Sequence, residues 1–183
     1  MGAPEGPPAP YGPPGGAYGA PAGPMGGAPS PGSRQYVDQH FGPTTEFADR
    51  IVPYLIDYAL QMVILVAGYI IGMALLVGAQ NGAMGAIGGL LLLLGIGGSL
   101  AFWFWNRILR VSQTGQSIGR KMMGLKVIDA ASGQNPPMGQ QFVRELISSL
   151  LGIISAIFML FDDQRQTLGD KVGKTQVIKV PKG

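Results

Sequence analysis

Apolar residues in this chain fall into three blocks separated by polar, basic connectors, and that alternation sets the elements. The first block runs from Ile51 to Val77, long enough as a helix to cross a hydrocarbon core of about 30 Å with some tilt. Thr44 or Thr45 is placed to cap it, and Pro53 falls near enough to its start to be tolerated or to kink it. Gly78 to Gly82, with Gln80 and Asn81, reads as an uncharged polar turn. The second block, Ala83 to Trp105, ends in FWFWNRILR. Trp103 and Trp105 suit an interfacial belt, and Arg107 and Arg110 mark the water beyond it. Tyr54 and Tyr58 lie towards the same end of the first block, so the two predict an antiparallel hairpin with its charged end on one side.

A basic connector follows, in which Gly124 to Asp129 alternates like a half-buried strand and Ser132-Gly133 starts a turn. The third block, Phe142 to Phe161, has an uninterrupted part after Glu145 worth only about 24 Å as a helix. A single crossing would carry the basic tail away from the connector. It would also separate Val177 to Val180 from Leu125 to Asp129, two short alternating segments suited to pair. A re-entrant or broken segment hinged near Gly152 keeps them together; a third full crossing is the alternative. The fold class expected is an all-α membrane protein. It has two transmembrane helices, a third short apolar helix that re-enters or spans, and a small cytoplasmic connector able to form a two-stranded β pair with the C-terminal tail.

Within the first block, Arg50, Tyr54, Asp57 and Gln61 share one stripe at helical spacing. If Arg50 lies at headgroup level, Asp57 is roughly 10 Å deeper, where a bare carboxylate costs several kcal/mol. The cost is tolerable only if the stripe faces a partner segment or a wet cavity, or if Asp57 is protonated. Arg50 and Asp57 lie about two turns apart and pair poorly with each other. The expected partners are Asp170 or Asp162 for Arg50, and Arg144 or Arg107 for Asp57. Such pairs would dock connector and tail on the hairpin; the functional alternative is an Asp57 that exchanges a proton or cation. Gly68 with Gly72, and Gly85 with Gly89, form small-xxx-small pairs suited to close helix packing.

Composition sharpens the class. Only 13% of the 183 residues are charged, about half the level of soluble domains. Eleven of the 15 prolines fall in residues 1–43, interleaved with Gly and Ala, which predicts a disordered, partly polyproline-like arm ahead of a membrane domain over 44–183. The arm lacks the basic start, apolar core and cleavage site expected of a signal peptide. A docking arm for aromatic grooves is its functional alternative. With no Cys and a single histidine, His40, thiolate and multi-His metal sites are excluded, and no metal or cofactor is expected. The net charge of +3 comes from Lys and Arg clustered beside the apolar blocks. That is a positive-inside signal rather than a nucleic-acid face, and it puts connector and N-terminus in the cytoplasm.

Catalytic motifs fail on inspection. Gly115 to Lys121 is one residue short of a phosphate loop and has no Ser or Thr after the lysine. Asp162-Asp163 has no evident third ligand for a metal. Ser148, Ser149 and Ser155 have no local base. Arg107, Arg110, Arg120, Lys121 and Lys126 could hold anionic lipid headgroups, at about 1 kcal/mol per charge.

Several pieces together resemble the RDD family of bacterial membrane proteins. They are Arg50 with Asp57 in RIVPYLID, the connector GQSIGRKMMGLKVID, and the ending LFDDQRQTLGDKVGKTQVI. The resemblance covers about residues 45 to 180 and makes Asp170 the final family aspartate, with Asp162 at a recurrent acidic position. Gly169 stands where histidine is usual. The Pro/Gly-rich arm is similar in composition to that of actinobacterial members described as proline-rich antigens. The resemblance implies a bacterial cytoplasmic-membrane domain whose molecular role is mostly unassigned, with transport suggested. The expected function is a non-enzymatic accessory or scaffold subunit whose partners are the bilayer and other membrane proteins or further copies of itself. The alternative is a small oligomeric cation or proton-coupled transporter using Asp57.

Overall fold

A computed structural model describes residues 28–182. Of the arm expected over 1–43, residues 1–27 lie outside the described residues; residues 34–40, by contrast, are helical. Helix α1 (Arg34–His40) starts at Ser33, whose Oγ accepts from the Tyr36 N–H. It buries Val37 completely against Ile128, Ala130 and Ile178. One valine in a Gly/Pro-rich surround carries no periodicity, so nothing in the local pattern announces this helix.

Two long helices form the hairpin, α2 (Phe47–Val77) and α3 (Gly82–Phe104). The cap of α2 is Glu46, with Asp49 Oδ2 accepting from its N–H at 2.9 Å. Thr44 and Thr45 do not cap. They bridge instead to the C-terminal tail, where the Thr45 N–H donates to the Val177 carbonyl at 2.9 Å. Asn81 caps α3 by accepting from the Met84 N–H.

Where α2 and α3 cross, a Cβ on Gly72 would lie 2.8 Å from Leu92 Cγ, and one on Gly88 would lie 2.7 Å from the Leu76 nitrogen. Gly68 faces Gly95 in the same seam. This corrects half of the expected packing. Gly68 and Gly72 lie in the seam, but their partners are Gly88 and Gly95. Gly89 faces open space, and Gly85 meets only Ala79. A seven-residue spacing on α3 follows the antiparallel helix through the contact, which the four-residue motif does not.

Beyond α3 the chain widens into a π-helical turn (Trp105–Leu109) and then α4 (Arg110–Thr114). Helix α5 (Ile118–Met122) and strand β1 (Leu125–Asp129) complete the connector. Helix α6 (Met138–Phe158), α7 (Leu168–Val172) and β2 (Thr175–Lys179) follow. Strands β1 and β2 pair antiparallel, with Val127 opposite Val177. One face of this small sheet packs Leu125, Val127 and Val177 on Val111 of α4. The other face packs Ile128 and Ile178 on α1. Both outer edges are occupied. The Val127 N–H donates to the Gly115 carbonyl at 2.7 Å on one side, and the Lys179 N–H donates to the Pro43 carbonyl at 2.9 Å on the other.

Among the described residues three helices are long and apolar enough to cross a membrane, α6 among them, yet α6 turns back. Gly152 sits at φ 48°, ψ −122°, which breaks the helix. A straight helix would set residues 144 and 155 about 16 Å apart. Instead both meet α7: Arg144 Nε donates to Asp170 Oδ1 at 2.6 Å, and the Gly169 N–H donates to Ser155 Oγ at 3.3 Å. The third block is therefore re-entrant, and the tail finishes beside the connector.

Because the chain contains no cysteine, single cysteines placed at exposed Ser132 and Lys182 should react with a membrane-impermeant thiol reagent from the same side of the membrane. Labelling from opposite sides would contradict the re-entrant turn. Gly88→Leu should cost about 1–3 kcal/mol of hairpin stability by overpacking the seam, whereas Gly89→Leu should stay within about 0.5 kcal/mol, measured by thermal unfolding in detergent.

Candidate functional site

The polar residues of the apolar blocks converge at the head of the hairpin, where α2, the π-helical turn, α5, α6 and α7 meet. They meet Asp170 of α7, which has no solvent exposure. It stands in the first turn of α7, where Thr167 Oγ1 accepts from the Asp170 N–H and Asp170 Oδ2 accepts from the Thr167 N–H at 3.2 Å. That capping box fixes the carboxylate, and two guanidiniums then close on it. Arg50 Nη1 pairs with Oδ2, and Arg144 Nε with Oδ1. Thr175 Oγ1 adds a bond from β2 at 3.3 Å. Burial alone would raise the carboxyl's pKa, but Arg144 and Arg50 outweigh it and hold Asp170 well below the usual carboxylate range.

Arg50 also donates through Nη2 to the Arg165 carbonyl at 3.1 Å and through Nε to Thr45 Oγ1 at 2.8 Å. One side chain from α2 thus ties together the strap before the helix, the loop before α7 and α7 itself. Arg165 takes φ 52°, a left-handed conformation costing a non-glycine residue about 1–2 kcal/mol, and from there its carbonyl accepts from Arg50.

Glu145, 2% exposed, is the second hub. Its carboxylate receives Arg144 Nη1 at 3.0 Å, Arg107 Nη1 at 3.2 Å and Arg120 Nη2 at 3.5 Å. Arg107 also lies over the Tyr54 ring, 4.7 Å from its centroid. Burial pulls Arg120 down to about 10, with Arg144 adding repulsion. Gln141 joins from the preceding turn of α6, donating to the Arg107 carbonyl at 2.6 Å.

Asp57 meets no guanidinium; the expectation of Arg144 or Arg107 as its partner is corrected. Its Oδ1 accepts from Asn106 Nδ2 and from the Gly119 N–H, both at 2.8 Å, and its Oδ2 accepts from Ser117 Oγ at 2.5 Å. The connector motif therefore exists in part to cap this aspartate. Ser117 starts α5, and Gly119 lacks a side chain because a Cβ there would run into the Pro53 backbone. Asn106 bonds both partners at once, since its Oδ1 accepts from the Ile118 N–H at 2.9 Å. The π-helical turn allows this by burying consecutive residues Asn106, Arg107 and Ile108.

Other expected residues sit apart from this network. Asp162 pairs with Lys171 at 2.5 Å and accepts from the Gln166 N–H, so it braces the loop rather than Arg50. Gln61 reaches Ser99 at 3.5 Å across the hairpin, and Tyr54 is half exposed. Of the residues assigned to headgroups, Arg107 is buried and Arg120 largely so, and each makes one contact to Glu145. Arg110 stacks over Trp105 at 5.8 Å; Lys121 is exposed and Lys126 partly so. Sequence reasoning missed Glu145, Asn106, Ser117 and Gly119. The available signal was a carboxylate inside the third apolar block and an amide directly after the second, each of which must find partners where it is buried.

The RDD family matches residues 44–174. A proline-rich antigen of Mycobacterium leprae is 38% identical over 96 residues, covering 45% of this chain and 39% of that protein. A proline-rich antigen homolog of Mycobacterium tuberculosis is 35% identical over 91 residues, covering 48% of this chain and 38% of that protein. The chain thus spans about two fifths of the length of the curated relatives it matches. No solved structure matches.

Asp170→Asn should cost about 3–5 kcal/mol, because it strands two buried guanidiniums, whereas Asp57→Asn, whose partners are neutral donors, should cost about 1 kcal/mol. Thermal unfolding in nanodiscs ranks them. The pH dependence carries the same signature. A carboxyl depressed in the folded state stabilises fully above its unfolded value of 3.8 and loses that contribution as pH falls through the folded value. The native melting temperature should therefore fall on acidification below that point more steeply than that of Asp170→Asn.

Proposed function

The chain belongs to the RDD family, and from that premise we propose that it is a non-enzymatic accessory or scaffold subunit of the bacterial cytoplasmic membrane, with connector and tail in the cytoplasm. The observation that carries this reading is the outer face of α3. Gly89 and Gly97, about two turns apart, have open space where a side chain would stand. Such a face lets a neighbouring helix approach closely. The acids of the network support the same reading, because none has an oxygen left over for a transported ion. Both oxygens of Asp57, Glu145 and Asp170 are taken by side chains or backbone of the same chain.

A second reading is a small oligomeric cation or proton-coupled transporter using Asp57. It is supported by a cavity of about 420 Å³ at the head of α2, lined by both Asp57 and Glu145.

Gentle solubilisation from native membranes should yield the protein with companion helices retained. Gly89→Leu combined with Gly97→Leu should release them without lowering the melting temperature of the isolated protein. A native protein that emerges alone and monomeric from several mild detergents removes the scaffold reading. For the transport reading, reconstituted vesicles should show cation or proton flux that falls at least tenfold in Asp57→Asn; equal flux in native and variant removes it.

A further inference from the structure

The cavity at the head of α2 has two kinds of wall. Its polar floor carries Arg50, Arg107, Arg120 and Arg144, with only Asp57 and Glu145 as acids in the lining. Asp57 is already satisfied by an amide, a hydroxyl and a backbone N–H, so it offsets none of the guanidiniums at contact distance. Asp170, behind the floor, accounts for Arg50 and part of Arg144. That leaves Glu145 shared among Arg107, Arg120 and Arg144. Arg120 has the longest of these contacts, at 3.5 Å, and its Nη1 is buried with no hydrogen-bond partner. A buried guanidinium with an idle donor is costly unless an acceptor arrives.

The other wall is apolar. Ile51 and Leu55 of α2 face Ile153 and Met159 across the break in α6. Ile51, Leu55 and Ile153 are 43%, 56% and 73% exposed respectively, so on this side the cavity opens onto the membrane interior. A cationic floor at the headgroup level beneath an opening to hydrocarbon matches an anionic amphiphile. A volume of about 420 Å³ is within the range of small-molecule pockets and suits a headgroup rather than a whole two-chain lipid.

We propose that this cavity is a binding site for an anionic phospholipid. The phosphate is received by Arg120 Nη1 beside Arg107 and Arg144, and the acyl chains leave over Leu55 and Ile153 into the bilayer. This goes beyond general attraction of a basic connector to the membrane surface, because the donors are buried and the exit is defined. Planar guanidinium forks favour phosphate oxygens over a diffuse counter-ion layer.

The test uses the full chain, purified in neutral detergent and titrated with phosphatidylglycerol, phosphatidylcholine or inorganic phosphate while the melting temperature is followed. Phosphatidylglycerol should raise the melting temperature saturably by several degrees, and phosphatidylcholine should not. Arg120→Gln should weaken the apparent affinity at least tenfold, while Lys121→Gln, which alters an exposed cation next door, should leave it unchanged. Equal shifts with both lipids, or equal losses in both variants, would overturn the site. The same shift from inorganic phosphate at equal concentration would overturn the lipid assignment. Should Arg120→Gln fail to fold, a diazirine-bearing phosphatidylglycerol photolysed with the native protein decides the matter. Adducts should concentrate on Ile51, Leu55, Ile153 and Met159, and adducts spread evenly over the outer faces of α2 and α3 would refute the proposal.

Discussion

Everything at the head of this protein depends on one carboxylate, Asp170, that is withdrawn completely from water and engaged instead by donors from separate segments of the chain. Asp170 lies on a helix of a single turn, and a five-residue helix has almost no stability of its own. What holds α7 in place is that its aspartate closes a capping box and also accepts from Arg50, Arg144 and Thr175. These come from the first crossing helix, the re-entrant helix and β2. Removing an ion pair from water costs several kcal/mol per ion, so the arrangement is sound only when every lone pair is engaged. That condition fixes the relative positions of the three segments far more tightly than apolar contact would.

A second carboxylate is handled by different means. Asp57 is deeper along α2 and is met by neutral dipoles, whereas Glu145 is met by three arginines. The difference follows from what each neighbouring backbone can supply. The connector brings the start of α5 to Asp57 through Ser117 and a side-chain-free Gly119. The longer arginines on the π-helical turn and α5, Arg107 and Arg120, reach across to Glu145, and Arg144 joins from the adjacent position of α6. An acid surrounded by fixed neutral donors has little reason to be mobile, while an acid shared among several cations leaves positive charge to spare.

The hairpin and the sheet pairing are legible in the sequence for reasons that are local, and the return of the third block is legible as one of two alternatives. The two apolar runs have the length a bilayer demands, the two β segments alternate with period two, and Gly152 stands where a helix can break. The Arg50–Asp170 pairing followed from a charge that could not be left bare. Partners that sit on the same side of an element by virtue of distorted geometry were not legible. Asn106 and Arg107 are adjacent in sequence, and a regular helix would splay them apart; the π-helical turn buries both. Glu145 is not legible as a hub because it stands where the uninterrupted part of the third block begins, and a charge there reads as a boundary. Val37 was hidden because a single apolar residue has no period to detect.

The small sheet leaves little room for one common form of recognition. With Gly115 covering the outer side of β1 and Pro43 to Thr45 covering that of β2, its main-chain donors and acceptors are spoken for on both margins. A visiting peptide that recognises its host by lying alongside as an extra strand would first have to displace one of these straps. Among the described residues, recognition at this cap therefore falls to side chains and to the helical surfaces around it. A substitution that loosened either strap would expose a ladder prone to pairing with its copies.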